Sequence, residues 1–295
     1  MPNLKEIRIR LQSVKSTRQI TSAMKMVSAA KLRKAQDAII QMRPYAGKLQ
    51  EILGNLSGSL SDSEISPFTQ VREVKKVLLV VITSNRGLCG AFNSNVVKKC
   101  LQVIDEKYLT LYKNGNLDVI AIGKKGADLL KSRKFPAKES YNDIYEKLTF
   151  DEVIPIAQSI MNEFASGKYD EVFLIYNQFR NAATQILTNE RFLPVKPVDD
   201  GDTLQNGVQT DYILEPSKEE IVRELIPKSL KIQFFKALLD SFASEHGARM
   251  TAMHKATDNA TELIRELQLT YNKARQTTIT KEILEIVSGA EALKG

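Results

Sequence analysis

The stretch TSNRGLCGAFN (83–93) follows the apolar run KKVLLVVIT (75–83) and precedes a helical pattern. A strand, a glycine turn and a helix start are the parts of many phosphate sites, because the first N–H groups of a helix lack intrahelical acceptors and attract anions. The nucleotide fingerprints need more. A P-loop spaces its glycines G-x-x-x-x-G and adds Lys and Ser or Thr, so that backbone N–H groups ring the phosphates and the lysine reaches the terminal ones. Here Gly87 and Gly90 are separated by two residues, and Ala91 and Phe92 follow. No G-x-G-x-x-G dinucleotide pattern occurs either. The stretch therefore predicts a structural turn, with no cofactor and no catalytic constellation. Cys89 and Cys100 have no zinc-ligand spacing and make no disulfide framework, and His246 and His254 cannot build a metal site alone. No metal is expected, and a reducing setting fits.

The elements that carry these residues follow from length, charge and periodicity. A chain of 295 residues makes one large or two ordinary domains. No stretch is apolar for the ~18 residues that a membrane span needs. The start, MPNLKEIRIRLQ, is charged throughout, so neither a signal nor a transit peptide is expected. The net charge is +7. Through residue 49 there are eleven Lys or Arg against Glu6 and Asp37, a balance of +9, which leaves −2 for the rest. The first segment should therefore meet an acidic partner.

Leu4, Ile7, Leu11 and Val14 lie on one helical face, and Ile20, Met24, Val27, Ala35, Ile39 and Met42 continue a stripe. Some fifty such residues predict a rod of roughly 75–80 Å, long enough that coiled coil is the default. The polar stretch GNLSGSLSDSEISP (54–67) reads as a break. KKVLLVVIT, LDVIAIG (117–123) and DEVFLIYN (170–177) are short continuous apolar runs, as in buried parallel strands. The helical stretches 91–108, 124–133 and 150–169 alternate with them, which implies an α/β sandwich. ATQILTNERFLPV (183–195) reads as an added edge strand and DYILEP (211–216) as one more.

Pro216 and Pro227 bracket a short helix, each suiting a first helical turn. Beyond them Leu239, Ala243, His246, Met250, Met253, Thr257, Ala260, Ile264, Leu267, Tyr271, Ala274 and Thr278 alternate spacings of four and three, a heptad seam. That helix should run to about Ala290, roughly 90–95 Å. Gly247 marks local crowding or a flexible point. The expected organisation is an N-terminal coiled-coil helix over 1–57, an α/β domain over 70–215 and a C-terminal helical segment over 217–295, with its long helix from about 228. The economical arrangement pairs the two ends antiparallel.

ITSAMKMVSAAKLRKAQ (20–36) and SEHGARMTAMHKATDNATELIRELQLTYNKARQTTITKEILEIVSGAEAL (244–293) resemble the two ends of the gamma subunits of F-type ATP synthases. TSNRGLCGAFN resembles the central segment of that family, and the order and spacing agree over essentially the whole chain. The resemblance implies an α/β fold in which an antiparallel coiled coil of the termini stands beside a Rossmann-like domain. It implies a central rotor shaft, one copy per complex, turning inside an alpha3-beta3 hexamer. The foot would hold the epsilon subunit and rest on the membrane rotor ring. Catalysis would lie on other chains, and no nucleotide would be bound here.

Matched motif by motif, Met24 and Lys25 fall where the family shaft meets the beta lever region. Glu245, Arg249, Arg275, Gln276 and Thr280 fall where it makes polar contacts with a beta loop. Arg249 and Arg275 would suit bidentate carboxylate pairs, which Lys cannot reproduce. Tyr212 and Glu215 fall near the rotor ring. The plant chloroplast insert with its regulatory cysteine pair is missing, so Cys89 and Cys100 are not expected to form a thiol switch. The resemblance places the chain peripherally, on the cytoplasmic face of a bacterial inner membrane. Two other classes compete. A basic coiled-coil nucleic-acid binder fits the charged first helix, but only Tyr45 is aromatic through residue 49, whereas strand-binding grooves interleave stacking aromatics. A stand-alone nucleotide enzyme lacks both phosphate fingerprints.

Overall fold

A computed structural model describes residues 4–57, 66–195 and 218–292; the expected strand DYILEP, with Tyr212 and Glu215, lies outside them. The chain divides into two compact units. One comprises Met1–Ser28 and Arg249–Gly295, the other Ala29–Ala248.

The larger unit is built on a five-stranded sheet. Its strands are β1 (Val77–Ile82), β2 (Leu117–Ile122), β3 (Glu139–Tyr141), β4 (Glu171–Phe179) and β5 (Gln185–Leu193), in the order β3-β2-β1-β4-β5. β1 pairs in parallel with β2 and β4, β2 in parallel with β3, and β5 antiparallel with β4 at the edge. Every residue of β1 is fully buried, which is why its run shows no alternation: both of its faces meet side chains. On one face α5 (Phe150–Ala165) packs Val153, Ile160 and Phe164 onto Leu78, Val80 and Leu174, together with Leu230 and Phe234 of the C-terminal helix. On the other, α2 (Phe92–Val103) supplies Val96, Val97 and Cys100, and α4 (Lys124–Ser132) supplies Leu130.

Two details differ from the sequence expectation. The helix expected over 91–108 passes through a π turn at Ile104–Tyr108 and continues as α3 (Leu109–Lys113). β3 was not anticipated, because a three-residue strand, Glu-Ser-Tyr, carries no apolar run.

The terminal helices are α1 (Leu4–Ser57) and α6 (Lys218–Ala292). α1 holds its helical path through 54–57, where a break was expected, and it contains Pro44. α6 is one helix from Lys218, not a short helix followed by a new one after Pro227. A proline inside a helix removes one hydrogen bond and crowds the preceding turn, at a cost of ~3 kcal/mol. Burying Ile226, Leu230, Phe234 and Leu238 against the sheet offsets that cost, since each such side chain contributes about 1.5–3 kcal/mol.

In the smaller unit α1 and α6 run antiparallel. Their facing pairs include Thr21 with Thr257 and Lys25 with His254. α6 follows the expected seam: Met253, Ala260, Ile264 and Leu267 are buried, and Met250, Thr257, Tyr271 and Ala274 are half-buried. Thr278 is exposed and falls outside the seam. The facing pairs put Leu4, the first described residue of α1, opposite about residue 274.

On α1 the stripe needs correction. Ile20 and Val27 are 60% and 58% exposed, while Thr21 and Ser28 are buried. The seam keeps a strict seven-residue step through Ile7, Val14, Thr21, Ser28 and Ala35. Small polar residues occupy it where larger apolar neighbours suggested a shifted face.

Candidate functional site

Nucleotides bind open α/β sheets in the crevice beyond the strand C-termini, where the strand order reverses. In this sheet that point lies between β1 and β4, beside TSNRGLCGAFN. The polar groups of this stretch are bonded within the fold to α4, the helix that follows β2, and to Asn93. Lys124 N donates to Asn85 Oδ1 at 3.0 Å, Lys125 N to Ser84 O at 3.0 Å and Gly126 N to Thr83 Oγ1 at 2.8 Å. These are the leading N–H groups of α4. Ser84 N donates to Asn93 Oδ1 at 2.9 Å, and Asn93 Nδ2 donates to Ser84 Oγ at 2.8 Å. A β-carbon on Gly126 would come within 2.5 Å of Thr83 Oγ1, so glycine serves the close approach of helix to strand. Thr83, Ser84, Asn85 and Asn93 of the motif thus bond within the fold and join the β1 end to α4.

The shifted titratable groups are structural as well. Burial pushes the Cys100 thiol up to about 12. Burial, and then the nearby Glu245 carboxylate, raises the Tyr145 phenol well above its ordinary value. Burial raises the Asp118 carboxyl, but hydrogen bonds from Tyr169 and Lys138 outweigh it and hold the group below the usual range. Among the described residues no cluster of His, Cys, Asp and Glu could hold a metal ion, and no helix is long and apolar enough to cross a membrane.

The residues expected to meet partners separate into two sets. Met24 and Lys25 are half-buried on α1, and Lys25 Nζ lies 3.2 Å from His254 Nδ1. Arg275, Gln276 and Thr280 are exposed on α6, at and just beyond the level of Leu4, the first described residue of α1. Thr280 Oγ1 donates back to the Gln276 backbone carbonyl at 2.9 Å. Glu245, in the larger unit, and Arg249, in the smaller, are each only 6% exposed and already engaged. The structure therefore does not gather the seven residues into one surface. Tyr212 and Glu215 lie outside the described residues.

The sequence expectation missed the apolar groups beside these positions. Ile20, Met26 and Val27 are exposed around Met24 and Lys25. Beyond Arg275, Ile279, Ile283, Leu284, Ile286 and Val287 are 43–70% exposed, past the level of the described residues of α1. Ile279, Ile283 and Ile286 step by four and three, so they share one helical face. Their apolar character was visible, but an open stripe looks the same in sequence as a covered one.

Comparison with known proteins agrees with this architecture. A family model described as ATP synthase matches residues 3–293. The ATP synthase gamma chain of Flavobacterium psychrophilum is 61% identical over 295 residues, 100% of each chain. That of Cytophaga hutchinsonii is 55% identical over 293 residues, 99% of each. In the Tetrahymena thermophila mitochondrial ATP synthase, a central stalk and c-ring structure, one chain aligns with TM-score 0.60 at 30% identity, covering 80% of this chain and 99% of that one. A Euglena gracilis mitochondrial ATP synthase chain shares the fold, with TM-score 0.71 at 24% identity and coverage of 98% and 94%. None of these supports the nucleic-acid reading of the basic first helix. The chain belongs to the ATP synthase gamma-chain family and is a rotor-shaft subunit, not a catalytic one.

Proposed function

We propose that this shaft couples to the catalytic beta subunits through two stretches that the isolated chain leaves open. One is the α1 turn around Met24 and Lys25, flanked by Ile20, Met26 and Val27. The other is the end of α6, where Arg275, Gln276 and Thr280 give way to the exposed Ile279, Ile283 and Ile286. The second stretch carries the proposal. A helix with an open apolar face calls for a surrounding apolar surface, and an alpha3-beta3 hexamer would supply one.

Three equivalent catalytic subunits stay equivalent unless something asymmetric biases them. An off-axis shaft contacts each differently, and differential contact is what shifts a conformational equilibrium. Arg275 and Gln276 would provide the polar part of that contact. A charged hydrogen bond is worth about 1.5–3 kcal/mol, a bias of ten-fold or more. Glu245 and Arg249 enter as residues that hold α6 in place, because their side chains are buried.

The further setting follows from the family. One copy of the chain would stand in each complex, its α/β unit holding the epsilon subunit and resting on the membrane ring through the segment with Tyr212 and Glu215. It would lie peripherally on the cytoplasmic face of the bacterial inner membrane. The deciding experiment is Arg275→Ala with Gln276→Ala in a reconstituted complex, with assembly, ATP hydrolysis and proton pumping measured together. Normal assembly with turnover or pumping reduced about ten-fold supports the contact, on the energies above. Wild-type hydrolysis and pumping would make both residues solvated helix positions.

A further inference from the structure

At one level of the helical unit the seam mixes polar and apolar groups. α1 contributes Thr21, Ser28 and the half-buried Met24 and Lys25, and α6 contributes the buried Met253 and half-buried Thr257, with His254 exposed at the edge. The Thr21 and Thr257 hydroxyl oxygens are 2.8 Å apart, one donating to the other. One turn away Lys25 Nζ and His254 Nδ1 are 3.2 Å apart. Lysine can only donate, so this bond needs the lone pair of Nδ1 and the tautomer that carries its proton on Nε2. The Asp258 carboxylate sits on the same side of the ring, with Oδ2 3.5 Å from the same nitrogen.

We propose that Lys25 and His254 form a proton-sensitive latch across the coiled coil, closed when the imidazole is neutral and open when it is protonated. A proton taken from solvent at Nδ1 removes the acceptor and sets two cations against each other. Nδ1–H then donates to Asp258, one turn along the same helix. Protonation thus exchanges a bond between helices for one within a helix.

The surroundings favour opening once the ring is charged. On α6 the neighbouring charges are Asp258 and Lys255; on α1 they are Lys25, with the exposed cations Arg18 and Lys31 about two turns to either side. α1 carries no acid between Glu6 and Asp37, so nothing on that helix would hold the charged ring. Histidine is the side chain that ordinarily changes charge between pH 5 and 8.

The test is a distance measurement on the full chain, with nitroxide labels on Lys15→Cys and Glu262→Cys, both exposed positions. Cys89 and Cys100 are buried, so labelling is selective. Exposed polar pairs are weak, so the expected effect is a rise of about two- to five-fold in the longer-distance population between pH 7.5 and pH 5.5. His254→Gln keeps an acceptor that cannot charge, and Lys25→Met removes the opposing cation; each abolishes the response. Equal distributions at both pH values in the unmodified sequence, or a response that persists in either variant, overturn the latch.

Discussion

A β-carbon placed on Gly247 would stand 3.2 Å from both the Cα and the carbonyl oxygen of Ala182, at the tip of the β4–β5 hairpin. Close approach of backbone to backbone, not flexibility, explains a glycine within α6. The same stretch of helix is tied in by Ser244 Oγ, which donates to Asn177 O at 3.0 Å; Asn177 Nδ2 in turn donates to Phe92 O at 3.3 Å. α6 is thereby anchored to the hairpin, and the hairpin to the start of α2.

Two substitutions at Gly247 should behave differently. Alanine gains about 1 kcal/mol of helix propensity, and the hairpin must yield by only a few tenths of an ångström to admit it. Gly247→Ala is therefore expected within about 1 kcal/mol of wild type, while the bulk of Gly247→Val costs ~1–3 kcal/mol as overpacking. Thermal melting of the purified chain checks this. A Val variant that melts at or above wild type would show that the hairpin tip is free to move.

The corrected seam of α1 makes a second prediction. Ile20→Ser and Val27→Ser alter exposed positions and should change the stability of the free chain by no more than about 0.5 kcal/mol. Ser28→Leu forces bulk into a position that is 2% exposed and should cost ~1–3 kcal/mol. Denaturant midpoints on the three variants check the order. Loss of stability in Ile20→Ser and Val27→Ser but not in Ser28→Leu would restore the shifted stripe.

This seam also shows where the sequence was legible. The α/β alternation and the α6 seam from Leu239 to Ala274 could be read because buried positions and apolar residues coincide there. On α1 they part company. Thr21 and Ser28 occupy the seam because two helices approach closely, and Ile20 and Val27 stand outside it. No single-chain pattern distinguishes an apolar residue awaiting a partner from one in a core. Pro227 misled for a related reason: its local preference favoured a helix start, but the burial of Ile226 and Leu230 carries the helix through it. The bonds that Asn85 and Thr83 of TSNRGLCGAFN accept come from N–H groups of α4, more than thirty residues on, where no local pattern reveals them.

The cysteines give a prediction in pH and redox. Burial raises the Cys100 thiol from 9.0 to about 12, so the folded chain keeps its proton where the unfolded chain loses it. This contribution to stability is complete below pH ~9 and declines as pH rises towards 12, by at most ~1.4 kcal/mol per pH unit. Cys100→Ala should flatten the alkaline slope of denaturant stability. Both thiols are buried and neither is in a disulfide, so a dithiol reductant should leave the activity of the assembled complex unchanged. An unaltered slope, or a reversible reductant response lost in Cys89→Ser, would contradict these expectations.

The most direct test of the shaft is to watch it turn. A reconstituted complex would be fixed through its hexamer, with a probe on Lys107→Cys, an exposed position of the α/β unit, and supplied with ATP. Three catalytic subunits biased in turn predict rotation in one direction with pauses about 120° apart, from the three-fold arrangement. A probe that stays fixed on this chain while the same complexes hydrolyse ATP would contradict the account.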